Sequence, residues 1–306
     1  MTQAHHIRYI QRRDIDLVKW DACISRSMNQ LIYGRSFYLD HMTAGGWDAL
    51  ITGDYEMIMP LTWKKKWGIR YLFQPPFTQQ TGIFSPSPLT AATIEAFLQT
   101  ATASFSLTEI FMNFGNPHPS FTPATNLILH LHPPYEEIYA RYKKDLVKNL
   151  RLAARCSFQY LTDPDLSMAL DLYRRLYQDR TPHVRADAYN RFEKLCFHLR
   201  EKGQIMLRGV ADSRGQILAT ALLLKDGQRL YLLQSATTMA GRHTEANPFL
   251  LDAIIRELSG TPLTLDFEGS DIPGIAHFYR NFGTEDQPYF FFKENRLPWP
   301  LRLLKQ

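Results

Sequence analysis

Three consecutive apolar-rich segments, 204–210, 216–224 and 229–234, are separated by Asp212-Ser213-Arg214-Gly215 and by Asp226-Gly227. Asp-Gly between apolar runs is a strong hairpin signal, because a type I′ turn needs positive φ at both central positions. The three segments therefore predict an antiparallel meander, and this meander constrains the rest of the chain. Beyond the meander, helical and strand patterns alternate. Asn247-Pro248 opens a helical pattern with Leu250, Leu251, Ile254, Ile255 and Leu258 on one face, closed by Gly260. An apolar run at 263–267 predicts a short buried strand, a helix passes through 275–279, and 287–293 is a last strand. Hairpin strands followed by alternating helices and strands predict an α/β fold: a twisted mixed sheet with helices on its faces.

Upstream, 135–155 is helical with a break near Lys143, and 157–161 is a strand. Asp163-Pro164 starts a helix that runs to about Tyr177. Tyr189, Phe192, Leu195, Cys196 and Leu199 form one face of the next helix, closed by Gly203. The first part of the chain reads as helices at 17–26 and from Ser36, strands at 49–52, 56–63 and 69–73, a helix at 89–104 and a strand at 109–114. Pro60 demotes the second of these strands to an edge or a bulge, since proline has no N–H for the ladder. His132-Pro133-Pro134 is the clearest punctuation, because paired prolines continue neither a central strand nor a helix. With 306 residues, two domains are expected, 1–133 and 134–306.

The net charge of +5 and pI near 9.0 permit an anionic ligand without the dense basic stripe of a dedicated nucleic-acid binder. Lys143, Lys144, Lys148, Arg151 and Arg155 form the longest basic cluster. Cys23, Cys156 and Cys196 are odd in number and far apart, so neither a disulfide framework nor a zinc site follows, and a reducing cytoplasm is the expected compartment. His130 and His132 lack a third ligand, and no metal is expected. Residues 1–13 show no signal-peptide pattern, and no apolar stretch is long enough for stable membrane insertion. The apolar and basic tail at 297–306 suits packing on its own domain, a membrane surface or another subunit.

Residues 203–237 resemble the central meander of a GNAT acyltransferase domain, and Ile275-Ala-His-Phe-Tyr-Arg-Asn-Phe-Gly283 is similar to that family's last-helix motif. Leu265-Asp-Phe-Glu-Gly-Ser270 and the basic helix Lys148-Asn-Leu-Arg-Leu-Ala-Ala-Arg155 resemble segments of Fem-type peptidyltransferases. Gln74-Pro-Pro-Phe-Thr-Gln-Gln-Thr-Gly82 looks like part of a Fem-type first domain. The resemblance implies two tandem GNAT-like domains, the first diverged and the second catalytic. It implies an N-acyltransferase acting on an amine of a small molecule, amino sugar or peptide, with acyl-coenzyme A as co-substrate.

On the same resemblance Tyr279 stands where a phenol protonates the leaving group. Asp266 and Glu268, two apart on a strand and so on one face, are candidate bases. Gln234, Ser235, Gly241, Arg242 and Asn247 fall where the acyl donor would bind. Arg35, Gln79, Gln80 and Ser270 are candidates for holding the acceptor. One departure bears on the donor. The stretch 237–247 holds a single glycine, Gly241, with Glu245 nearby, where coenzyme A binding normally uses a bare glycine-rich turn opening a helix. Fem-type proteins lack that turn and take their acyl group from aminoacyl-tRNA, which makes a tRNA-dependent peptidyltransferase the alternative. A non-catalytic, ligand-binding relative is the third reading.

Overall fold

The computed structural model describes residues 6–182, 184–269 and 271–305. The chain forms two compact units: unit 1 comprises 1–124 and 288–306, and unit 2 comprises 125–287.

Unit 1 begins with β1 (Ile7–Ile10), α1 (Leu17–Arg26) and α2 (Ser36–Thr43). The meander β2 (Trp47–Thr52), β3 (Met57–Lys66) and β4 (Ile69–Phe73) comes next, then α3 (Ala91–Ala103), β5 (Leu107–Met112) and β6 (Thr122–Ala124). Asp16 caps α1 by accepting from the N–H groups of Val18 and Lys19, and Thr90 caps α3 through Thr93. The spacing of Ile94, Phe97, Leu98 and Ala101 gives α3 one apolar face, which packs with Leu50, Met59 and Leu61 of the sheet. Each such large side chain fully withdrawn from water stabilises the fold by about 1.5–3 kcal/mol. Pro60 faces Ala49 of β2, whereas β4 pairs only with Trp63–Lys66. The proline thus lies where β3 has a strand on one side, as its missing N–H requires.

Unit 2 opens with β7 (Leu127–His130), α4 (Tyr135–Ala140), α5 (Lys144–Ala153), β8 (Gln159–Leu161), α6 (Leu166–Tyr177) and α7 (Ala186–Glu201). The expected meander is β9 (Ile205–Ala211), β10 (Ile217–Asp226) and β11 (Arg229–Thr237). After it come α8 (Met239–His243), α9 (Ala246–Leu258), β12 (Thr264–Asp266), α10 (Pro273–Arg280) and β13 (Glu285–Asp286). Among the described residues its sheet runs β13-β7-β12-β11-β10-β9-β8. Among the described residues of this unit, only β11 and β12 pair in parallel; the other pairings are antiparallel. Leu250, Leu251, Ile254 and Ile255 of α9 are buried on this sheet with Val210, Leu223 and Leu265.

Two strands lie elsewhere than the His132-Pro133-Pro134 punctuation suggests. β7 precedes the prolines yet pairs with β12, three residues in register from Thr264↔His130 to Asp266↔Ile128. The last strand, β14 (Tyr289–Asn295), pairs with β5 and β6, giving unit 1 the order β1-β2-β3-β4-β5-β14-β6. An alternating pattern tells which face of a strand is buried, but not which sheet accepts its backbone.

Candidate active site

The parallel joint of unit 2 is short. β11 pairs with β12 only at Arg229↔Thr264, Leu230↔Leu265 and Tyr231↔Asp266. β12 ends at Asp266, while β11 continues to Thr237. The chain leaves β12 through Glu268 and Gly269, both left-handed at φ 52° and 54°. That conformation is ordinary for glycine and strained for glutamate, and strain of this kind is often held at functional sites. Beyond the end of β12, a cleft of about 580 Å³ lies between β11 and the segment that follows β12. Leu232, Leu233 and Ser235 of β11 line one side; Glu268 and Gly269 line the other, with Phe278 and Tyr279 of α10. On β11 the register with β10 slips between Leu222↔Gln234 and Leu223↔Leu232, so Leu233 is the extra residue of a bulge beside the cleft.

Tyr279 is 8% exposed and packs at ring distances of 4.7 Å from Phe267 and 5.5 Å from Phe278. Burial pushes its phenol above the ordinary value, and Tyr173, Tyr177 and Glu268 add to the effect, so it holds its proton. Glu268 is buried on the cleft wall.

Asp266 does not line the cleft. Asp266 is fully buried, bonds the Arg229 Nε at 2.8 Å, and accepts from the Asn126 side chain at 3.0 Å and the Glu268 N–H at 3.1 Å. These bonds secure the end of β12. Strand alternation, which placed the two carboxylates on one face, stops at Asp266, and the left-handed turn directs Glu268 toward the cleft.

The expected donor-binding residues divide. Ser235 and Asn247 line the cleft and meet at 2.9 Å. Gln234 does not line this cleft but a smaller cavity that Leu170 and Phe192 also line. Gly241 is buried: a Cβ there would lie 2.3 Å from the Leu218 carbonyl oxygen, so this glycine serves close packing. Its N–H already bonds the Thr238 hydroxyl at 3.0 Å, and the Arg242 N–H bonds the Thr238 carbonyl. Arg242 is exposed. Glu245 occupies the N-cap of α9 in a left-handed conformation. An acidic N-cap and internally bonded amides do not fit a pyrophosphate, which needs bare N–H groups and positive potential.

The candidates in unit 1 hold local structure. Arg35 bonds the Asp21 carbonyl at 3.0 Å and the Ser25 hydroxyl at 2.7 Å. Gln80, fully buried, accepts the Phe114 N–H at 3.0 Å and donates to Gln79 at 2.7 Å. Ser270 lies outside the described residues. Reading the sequence missed Tyr173, Tyr177, Arg180 and Thr181, which also line the cleft. The two tyrosine rings lie 4.9 Å apart, with the Arg180 guanidinium 5.5 Å from the Tyr177 ring. Their i, i+4 spacing was visible, but only the packing of α6 over β11 directs them to this gap.

Residues 140–278 match the family model described as Acetyltransferase (GNAT) domain. No curated protein matches the chain by sequence. Among solved structures, the chain is similar to FemX with a TM-score of 0.65 at 14% identity, over 97% of this chain and 99% of that one. It is similar to the C-terminal domain of a putative lysylphosphatidylglycerol synthetase from Agrobacterium fabrum, with a TM-score of 0.53 at 9% identity, over 93% and 95% of the two chains. L-PGS from Bacillus licheniformis gives 0.53 at 10% identity, over 94% of each. The matched residues lie within unit 2, and over nearly its whole length the chain has the fold seen in FemX.

Proposed function

We propose that unit 2 transfers an acyl group to an amine bound in the β11–β12 cleft. The observation that carries this reading is the open cleft itself, with Tyr279 and Glu268 on its walls. Glu268 takes a proton from the attacking amine. The nitrogen bonds to the acyl carbonyl carbon, and the bond to the leaving oxygen or sulfur breaks. Tyr279, kept protonated by burial, supplies the proton to that leaving atom. The cleft-side edge of β11 beyond Tyr231, interrupted at Leu233, offers backbone groups to the developing oxyanion.

For the donor, an aminoacyl ester on tRNA suits the residues better than a coenzyme A thioester. The α9 start carries Glu245, whose charge opposes a pyrophosphate. Along α5 and its flanks, Lys143, Lys144, Lys148, Arg151 and Arg155 are all exposed, a local basic cluster suited to phosphates. The name of the lysylphosphatidylglycerol synthetase neighbours adds lipid acceptors to small amines, amino sugars and peptides as classes to test. The experiment is single-turnover transfer with acyl-coenzyme A and aminoacyl-tRNA panels. The tRNA reading expects transfer from the second panel and binding that weakens steeply with salt, with a smaller salt slope when Lys148 and Arg151 become Gln. Turnover of the thioesters alone reassigns the donor to coenzyme A. Turnover of neither, with ligand binding in the cleft, makes the chain a binding-only relative.

A further inference from the structure

A second concavity lies in unit 1, and none of the residues invoked for acyl transfer lines it. It measures about 360 Å³, and Ile69, Tyr71, Phe73, Leu107, Leu297 and Leu301 give it apolar walls. Its rim includes the end of the β3–β4 hairpin. There Trp67 and Gly68 form the turn, at φ 52° and 79°. Two-residue turns with positive φ at both positions favour Asn, Asp or Gly, so a tryptophan is a costly choice. It is also 78% exposed. A side chain that suits neither its backbone nor water calls for a role outside the fold. Trp299 and Leu303, in the segment that contributes Leu297 and Leu301 to the walls, are 80% and 54% exposed.

The charge around these rings is basic. Lys64, Lys65, Lys66 and Arg302 are exposed. The Lys64 ammonium lies 4.2 Å from the Phe73 ring centroid and the Lys66 ammonium 4.6 Å from that of Trp67. Glu109, the acidic residue in the lining, pairs with Lys293 at 3.4 Å. Indoles rest at the boundary between headgroups and acyl chains, and lysines beside them reach lipid phosphates. No helix among the described residues is long and apolar enough to cross a membrane.

We propose that the β3–β4 hairpin end of unit 1, with the 297–303 segment, docks peripherally on an anionic phospholipid bilayer. Trp67 and Trp299 enter the interface, and Lys64, Lys65 and Lys66 pair with the headgroups. The test is co-sedimentation of the full chain with vesicles containing phosphatidylglycerol and with vesicles of phosphatidylcholine alone. Binding is expected to be at least about tenfold stronger on the anionic vesicles. The combined Lys64→Gln, Lys65→Gln, Lys66→Gln variant should lose about tenfold or more on them. Trp67→Asn should also lose about tenfold, and because asparagine suits the turn its thermal midpoint should not fall. Equal binding to both vesicle types overturns the proposal, as does unchanged binding by both variants. Self-association of the lipid-free chain that Trp67→Asn abolishes, without vesicle binding, would reassign the surface to a second copy.

Discussion

Both units contain an antiparallel meander, a crossover helix and a strand that returns parallel to the last meander strand. The joint is equally short in each: three paired residues between β4 and β5, and three between β11 and β12. The units differ in what lies beyond it. In unit 1, β5 outruns β4, and the loop after β4 takes up its free edge. The Gln74 side chain accepts the Phe111 N–H, Thr81 exchanges backbone bonds with Phe111 and Asn113, and Gln80 accepts the Phe114 N–H. In unit 2, β11 outruns β12, the chain turns away through Glu268 and Gly269, and a cleft remains. The same short joint becomes a wall when a polar loop satisfies its backbone and a site when it stays open.

The largest effect that would sharpen this contrast is catalytic. Tyr279→Phe and Glu268→Gln should each lower kcat by about a hundredfold or more in the transfer assay, with little change in unfolding midpoint. Near-normal turnover by both would sink the assigned acid and base, though not the cleft. Next is the strand end that frames the cleft. Asp266→Asn removes the charge opposite the buried Arg229 and should cost about 3–5 kcal/mol by urea unfolding. A loss well under that would mean the pair does not hold the joint. On the closed side, Gln80→Ala leaves the Phe114 N–H without its acceptor and should cost about 1–3 kcal/mol while kcat stays unchanged. If it impairs catalysis instead, the comparison between the units breaks. The smallest effect is in pH. The Tyr279 phenol is raised by burial, so it remains protonated as pH approaches the ordinary value of about 10. No alkaline fall in kcat assignable to this tyrosine should therefore appear below that pH; a fall near neutrality that Tyr279→Phe removes would contradict its environment.

Much of the architecture was legible because it is written in local terms. The hairpin signal at Asp226-Gly227 is met by a β10–β11 hairpin whose two loop residues are Gly227 and Gln228, Asp226 pairing with Arg229, and the spacing of Leu250, Leu251, Ile254 and Ile255 defines the buried face of α9. The break near Lys143 separates α4 from α5. Tyr279 was legible as a candidate because a motif surrounds it, and the structure puts it on the cleft wall. Asp266 and Glu268 were legible as carboxylates, but that only Glu268 lines the cleft was not, since period-two alternation holds only while the strand lasts.

The sequence by itself determined the elements and their buried faces, because hairpin turns, caps and apolar periodicity act over a few residues. Tertiary structure alone decided that β7 joins the second sheet and β14 the first, because strand pairing uses backbone groups that every residue carries alike. It also decided that Gln79 and Gln80 secure a loop while Tyr173 and Tyr177 face a cleft. Where β12 stops relative to β11 is a distance between strands far apart in sequence, and no local pattern encodes it.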